Sequence, residues 1–326
     1  MNCNLRCKHC LLGNKLESGE SIKKEILLKI LEEGHELGIK EVLLTGGEPL
    51  VYRDILEVIE IGTKLGYNIM VNTNGTLINE TMASRLAAAG VRKIQVSIEG
   101  PKELHEQIRG KGTFDRAVNG IKLVEKNGII VNINTQLTEQ LLEENNFKDY
   151  LALLESIKPA LVQLTITANL GNAKRSNLKT IDYARHAKLI QFLVQQSQKY
   201  VVQRRIGRED VSCPAAFYEM AIDSNGNAYP CHYFRGINQY SIGNVYNEDL
   251  KSIWDRGIKT PLADFVSGKI INDECTHCAF LNKSMRCAAK VYSLYQRFDM
   301  TDPMDCYLNK GTVSKDLKFL FNSFNI

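Results

Sequence analysis

Hydrophobic and polar positions along this chain follow two alternating rhythms. Apolar residues recur at helical spacing over Ile22–Leu37, which predicts an amphipathic helix with Ser21 as its cap. A short apolar run, Glu41–Thr45, then predicts a strand. The same pair of signals repeats downstream: helix Asp54–Leu65 and strand Asn68–Asn72, helix Asn79–Ala89 and strand Lys93–Ile98, helix Phe114–Asn127 and strand Ile129–Asn134. It closes with helix Phe147–Ile157, strand Leu161–Thr167 and helix Ile181–Lys199. Gly38, Gly66, Gly90 and Gly128 each follow a helix and precede a strand, where a left-handed stop is expected. Regular strand–helix repetition implies parallel strands with helices packed outside them, an α/β fold built as an open or closed barrel. Such sheets hold their sites at the carboxyl ends of the strands. Gly46-Gly47-Glu48-Pro49, Thr73-Asn74-Gly75 and Glu99-Gly100 fall there. After about residue 200 the repetition stops, and the polar stretch Gln203–Asp210 predicts a linker between domains at 1–200 and 205–326.

Composition narrows the partners. The 326 residues are 44% hydrophobic and 24% charged, so a sizeable core is available. The net charge is +4, with Lys and Arg scattered along the chain, which argues against a nucleic-acid groove. No apolar run reaches the ~18 residues of a membrane span. The start lacks the basic-then-apolar layout of a signal peptide, so the expected location is cytoplasmic.

The cysteines change the picture most. Cys3, Cys7 and Cys10 lead; Cys213, Cys231, Cys275, Cys278, Cys287 and Cys306 trail. Without an export signal, soft-metal ligation is the better reading than disulfides. The leading three are spaced Cys-x3-Cys-x2-Cys, so one loop can wrap three corners of a [4Fe–4S] cube and leave one iron open to a cofactor. Structural zinc, the alternative, is closed by four ligands, and His9 would have to be the fourth.

The triplet resembles the signature of the radical S-adenosylmethionine (SAM) superfamily, in which an aromatic commonly precedes the last Cys; here that position is His9. Gly46-Gly47-Glu48-Pro49 resembles the family turn that contacts the SAM amino group. Glycine there permits close backbone approach, and a carboxylate complements an ammonium. Asn72-Thr73-Asn74-Gly75 resembles the turn ending the third family strand. Val96-Ser97-Ile98-Glu99-Gly100 is similar to Ser-x-Asp-Gly, with Glu for the usual Asp. His105, Arg109-Gly110 and Gly112-x-Phe114 match the following segment, and Gly171-Asn172-Ala173 looks like a turn near the adenine, a generic helix-entry loop being the alternative. The resemblance implies a partial (βα)6 TIM-type barrel and a SAM site at Gly46, Gly47, Glu48, Pro49, Asn74, Ser97 and Arg109, with loop pinning as the other reading of Arg109. It also implies reductive cleavage of SAM to a 5′-deoxyadenosyl radical, driven by an electron donor such as flavodoxin or ferredoxin. Family members normally run a strand before the first cysteine; only Met1 and Asn2 precede it here, so the barrel is expected to lack its first inner strand and leave an edge exposed.

The trailing segment resembles a SPASM domain, the auxiliary iron–sulfur domain of many peptide-modifying radical SAM enzymes. Cys213-x12-Gly226-x4-Cys231 opens it, and Asp223-Ser224-Asn225-Gly226 is itself a hairpin turn. Ile242–Val245 and Leu250–Trp254 match the run that follows, with Trp254 expected as a core anchor. The family pattern then departs: Ser284 stands where a Cys is expected, and Cys287 falls one residue short of the next. Six thiols cannot fully ligate two cubanes. Either Cys275, Cys278, Cys287 and Cys306 close one cluster, or Cys213, Cys231 and Cys287 hold one with an open corner while Cys275, Cys278 and Cys306 hold a second; family spacing favours the second. A spare cysteine as hydrogen donor and a purely architectural zinc ribbon are the further readings.

The implied function is a maturase acting on a peptide or protein side chain, by thioether formation, epimerisation or carbon–carbon linkage, with the peptide brought by a separate leader-recognition protein or docking directly. The rivals are an enzyme of haem or cofactor biosynthesis on the same plan, and a non-catalytic metal or electron carrier.

Overall fold

The computed structural model describes residues 2–13, 21–166, 172–176, 200–202, 213–269, 276–277 and 287–299. Six parallel strands run in sequential order: β1 (Glu41–Leu44), β2 (Asn68–Thr73), β3 (Lys93–Ser97), β4 (Ile130–Leu137), β5 (Leu161–Ile166) and β6 (Tyr200–Val202). This is an α/β sheet of partial TIM-barrel type, as the sequence rhythm implied, with β1 and β6 as its edges. Helix α1 (Lys24–Glu36) precedes β1, and between the strands lie α2 (Ile55–Lys64), α3 (Glu80–Ala88), α4 (Lys102–Arg109), α5 (Thr113–Lys126), α6 (Glu144–Ile157) and the short α7 (Asn172–Arg175).

Alternation decides which face each strand buries. Val71, Ile94, Val131 and, one layer on, Val96, Ile133 and Val162 stand in register and pack with Val58, Leu86, Ile121 and Leu151 of the helices. The four helix-stop glycines have φ of 78°, 89°, 97° and 77°, a region in which a Cβ is strained, so each chain reversal is set by residue type. One sequence expectation changes here, and one helix is added. The N-cap of α1 is Lys23, with no side-chain cap bond, because the helix begins at Lys24, three residues beyond Ser21. The segment 102–109 forms a helix whose buried side, Leu104, His105 and Ile108, was hidden by a polar run. The expected helix Ile181–Lys199 and linker Gln203–Asp210 lie outside the described residues.

The trailing segment folds as a three-stranded antiparallel sheet, β7 (Ala221–Ile222), β8 (Asn227–Tyr229) and β9 (Gly243–Asn244), followed by α8 (Leu250–Gly257), α9 (Pro261–Val266) and α10 (Ala288–Tyr295). The β7–β8 turn is closed by Asp223, whose Oδ1 accepts from Asn225 N at 2.9 Å and Asn227 N at 3.0 Å. This sheet and α8 dock on α1. Ala228, Ile242, Val245, Leu250 and Ile253 share an apolar cluster with Ile22, Ile26 and Ile30. Lys29 Nζ donates to the carbonyls of Val245 and Glu248, both at 3.1 Å, and Leu250 N donates to Glu33 Oε2 at 2.7 Å. Trp254 is half-buried and does not anchor this core; Leu250 and Ile253 do. Among the described residues, no helix is long and apolar enough to cross a membrane.

Candidate metal centre and cofactor site

The leading thiols sit on a loop held from several sides. Lys8 N donates to Ile108 O at 2.9 Å, and Asn172 N to Cys10 O at 2.8 Å. Asn172 Nδ2 donates to Cys7 O at 3.3 Å, so the expected Gly171–Ala173 turn meets this loop through its central residue. Asn4 Nδ2 donates to Thr76 Oγ1 and Asn74 Nδ2 to Asn4 Oδ1, both at 2.9 Å. Asn74 thus ties the loop to the end of β2 with the side chain expected to face a cofactor.

Gly47 explains the close approach of the next turn. A Cβ there would stand 2.0 Å from Asn2 O, the same carbonyl that accepts from Glu48 N at 2.9 Å. Gly46 has φ of 145°, and Pro49 opens a short 3-10 turn over Pro49–Val51. Glu48 is buried. Its Oε1 accepts from Thr73 Oγ1 at 2.6 Å and Leu50 N at 3.1 Å, and its Oε2 from Asn74 N at 2.8 Å. Burial raises this carboxyl, and the three donors oppose that rise. Three acceptances leave about one of a carboxylate's four acceptor positions for an ammonium. Ser97 ends β3 opposite Asn134, half-buried at the carboxyl edge of the sheet.

Arg109 answers to Glu99. Its Nε donates to Glu99 Oε1 at 2.7 Å and its Nη2 lies 2.5 Å from the same oxygen. Its Nη1 stands 4.0 Å from Cys7 Sγ. Arg109 is thus ion-paired with Glu99 and set beside the thiol loop. His9 Nε2 donates to Glu99 Oε1 at 2.8 Å, so the two departures from the family pattern, ninety positions apart, touch in a buried site. Glu99 Oε2 accepts from Gln136 N at 2.8 Å. Burial alone would raise the Glu99 carboxyl, but Arg109 and His9 hold it well below the usual carboxylate range. His105 Nδ1 accepts from Glu99 N at 3.2 Å, which fixes a neutral ring, and burial followed by the Arg109 charge pushes its pKa down to about 4.

The thiols are close enough for the charges of Cys3 and Cys10 to disfavour the Cys7 thiolate. Burial, chiefly, pushes Cys7 up to about 11, opposed by Arg109 and reinforced by Glu99, Cys10 and Cys3. Burial also raises Cys3, with Glu48 and Cys10 adding to it. Three converging, partly buried thiols are costly as bare thiolates and suit a cationic iron–sulfur core, which supplies the missing positive charge. The donor set fits a [4Fe–4S] cluster with one open iron.

The trailing thiols assemble differently. Cys213, Cys231 and Cys287 are buried in one cluster with Tyr229, Phe234, Phe265 and Tyr292. Cys287 is also the N-cap of α10. These are the three that the two-cluster arrangement groups together. Glu219, Cys231 and His232 bring ligand atoms within 4.8 Å of one another. Cys275, Cys278 and Cys306 lie outside the described residues. Residue reading also missed Arg235, whose cation lies close enough to both Cys231 and Cys10 to feel their charges. Nothing in its local sequence signals that bridge.

A radical SAM superfamily profile matches residues 1–157, and a SPASM iron–sulfur cluster-binding profile matches residues 213–279. The chain carries a radical SAM domain followed by a SPASM domain. It is an enzyme whose cofactors are SAM and a [4Fe–4S] cluster, with auxiliary iron–sulfur centres in the SPASM domain. The AdoMet-dependent heme synthase of Oleidesulfovibrio alaskensis is 24% identical over 349 residues, spanning 97% of this chain and 88% of that protein. Streptococcus suis SuiB bound to precursor peptide SuiA superposes with a TM-score of 0.74 at 21% identity, over 93% of this chain and 73% of SuiB. anSMEcpe with bound AdoMet gives 0.73 at 19%, over 99% of this chain and 96% of that one. Both superpositions show the shared fold.

Proposed function

We propose that this radical SAM enzyme cleaves SAM at a cluster held by Cys3, Cys7 and Cys10 and abstracts hydrogen from a peptide or protein side chain. Residues 1–200 carry that chemistry, and residues 205–326 hold auxiliary clusters through Cys213, Cys231 and Cys287 and through Cys275, Cys278 and Cys306. The carrying observation is the close contact of the thiol loop with the glycine turn: Gly47 and Asn2 bring Glu48 against the loop that presents the three thiols. When bound and reduced, the cluster supplies the electron that breaks the sulfonium C–S bond of SAM. The chain's own part is placement. Glu48 offers a carboxylate to the SAM ammonium, and Gly46, Gly47 and Pro49 keep that approach narrow. Ser97 stands at the strand end for the carboxylate or ribose, and Arg109, held by Glu99, sets its positive charge beside Cys7.

The peptide reading draws support from a fold shared over 93% of this chain and 73% of SuiB, seen bound to a precursor peptide. A second reading, a tetrapyrrole side chain, draws support from the heme synthase, which matches along nearly its whole length. A flavodoxin or ferredoxin donor and a leader-recognition protein complete the proposed partners. Anaerobic assay of 5′-deoxyadenosine with candidate precursor peptides and with iron-coproporphyrin tests the choice. Turnover stimulated by a peptide alone supports the first reading; stimulation by the porphyrin alone overturns it.

A further inference from the structure

The sheet has two unlike faces. The face against the helices is apolar, as above. The opposite face carries Asn72, Gln95 and Asn132 in one register row and Asn134 and Gln163 in the next, with Thr165 beyond. Residues paired in register share a face, so these amides form a continuous surface. Gln95 Nε2 donates to Gln163 Oε1 at 2.7 Å, reaching over β4, and Thr165 Oγ1 donates to Asn134 Oδ1 at 3.1 Å. Gln95, Asn132 and Thr165 are buried. Asn72 Oδ1 is buried with no hydrogen-bond partner.

Packing alone does not call for this surface. Barrel interiors are normally filled with branched apolar side chains, and burying amides without partners is unfavourable. The charge pattern is equally selective. On this face of β1–β5 the charged residues are Glu41 and Lys93, each the first residue of its strand and so at the end remote from the thiol loop. A substrate recognised through carboxylates needs guanidinium or ammonium partners. At the rim Arg109 is committed to Glu99, and Arg235 Nε donates to His232 O at 3.1 Å.

We propose that this inner face binds a neutral, amide-bearing segment of the substrate, an extended peptide backbone, with Asn72 Oδ1 accepting a peptide N–H and the Gln95–Gln163 pair reading the neighbouring amide. The inference rests on the peptide reading above and names how the peptide is recognised. Among the described residues of this face the cation is Lys93, at the end remote from the thiol loop, so the carboxylates of a tetrapyrrole would find no counter-ion beside the amides.

The test is equilibrium binding to the reconstituted full chain with SAM present and no reductant. The probes are an N-acetyl tripeptide N-methylamide with a central Cys, and iron-coproporphyrin III. Saturable binding of the peptide is expected, weakened about tenfold by Asn72→Leu or Gln163→Leu, roughly the effect of one lost buried hydrogen bond. Iron content and melting temperature near wild type show that each variant is folded, and Gln163→Asn, which keeps the amide, should recover part of the affinity. Absence of peptide binding, tighter binding of the porphyrin, or variants within twofold of wild type would overturn the proposal. So would a parallel loss of SAM affinity, which would assign these amides to the cofactor. Because no turnover is needed, a chain that binds peptide yet makes no 5′-deoxyadenosine breaks the function proposed above and leaves this one standing.

Discussion

The two sets of thiols are built on opposite principles. Cys3, Cys7 and Cys10 lie within one loop, and what fixes them is polar: backbone and amide bonds to Ile108, Asn172, Asn74 and Thr76, and the Glu99 network beside Cys7. Cys213, Cys231 and Cys287 come from segments far apart in sequence and meet inside an aromatic cluster. The first set is a local site borrowing a finished scaffold. The second is part of the core of its own small domain, where thiols stand in place of apolar side chains. A metal in the first should serve chemistry, and a metal in the second should also serve folding.

Replacing each set separately gives the largest contrast. Cys3→Ala, Cys7→Ala and Cys10→Ala together should remove about four irons and all SAM cleavage while the melting transition moves little. Cys213→Ala, Cys231→Ala and Cys287→Ala together should lower the melting temperature sharply or prevent folding of that segment. Iron analysis with calorimetry reads both, and equal destabilisation by the two sets would erase the distinction.

Gly47→Ala sharpens the claim that the first site depends on backbone fit. Its Cβ would meet Asn2 O at 2.0 Å, so the loop and the Glu48 turn must separate. SAM affinity should fall at least about tenfold, the equivalent of ~1.4 kcal/mol. Gly38→Ala serves as a control, since its φ of 78° strains the chain far from the loop and nothing lies within 4 Å of its Cβ. Similar SAM affinity in both variants would contradict the close-contact account.

A further, pH-dependent effect concerns the neutral imidazole beside Glu99. With the His105 pKa held at about 4, below its unfolded value of ~6.5, the unfolded chain binds the extra proton first as pH falls. This contribution is present above pH ~6.5 and lost progressively down to about 4, by ~3 kcal/mol at most. Thermal melts across that window should show the decline, and His105→Phe should flatten it. An unchanged slope in the variant would place the titration elsewhere.

Much of the barrel was legible because local signals agree there. Short apolar runs recurring between helical patterns gave the strands, and glycine at each helix stop gave the reversals. Helix α4 was not legible, since Lys102–Arg109 has few apolar residues and its buried side includes His105. The thiol loop and the Gly46–Pro49 turn could be read as chemistry, but the direct bond between Asn2 and Glu48 could not. Nor could the pairing of His9 with Glu99, because no pattern links residues that only the fold of the sheet brings together. Trp254 misled for a related reason: hydrophobicity marks what can be buried, and the register of α8 on α1 chooses Leu250 and Ile253 instead.

The central claim is that the leading triplet holds the cluster to which SAM binds. Electron paramagnetic resonance of the dithionite-reduced, anaerobically reconstituted enzyme tests it most directly, with and without SAM, in wild type and in the variant lacking Cys3, Cys7 and Cys10. The account predicts a reduced [4Fe–4S] signal that shifts on adding SAM in wild type, and a residual auxiliary signal indifferent to SAM in the variant. A SAM-dependent shift that survives loss of the three thiols would contradict it.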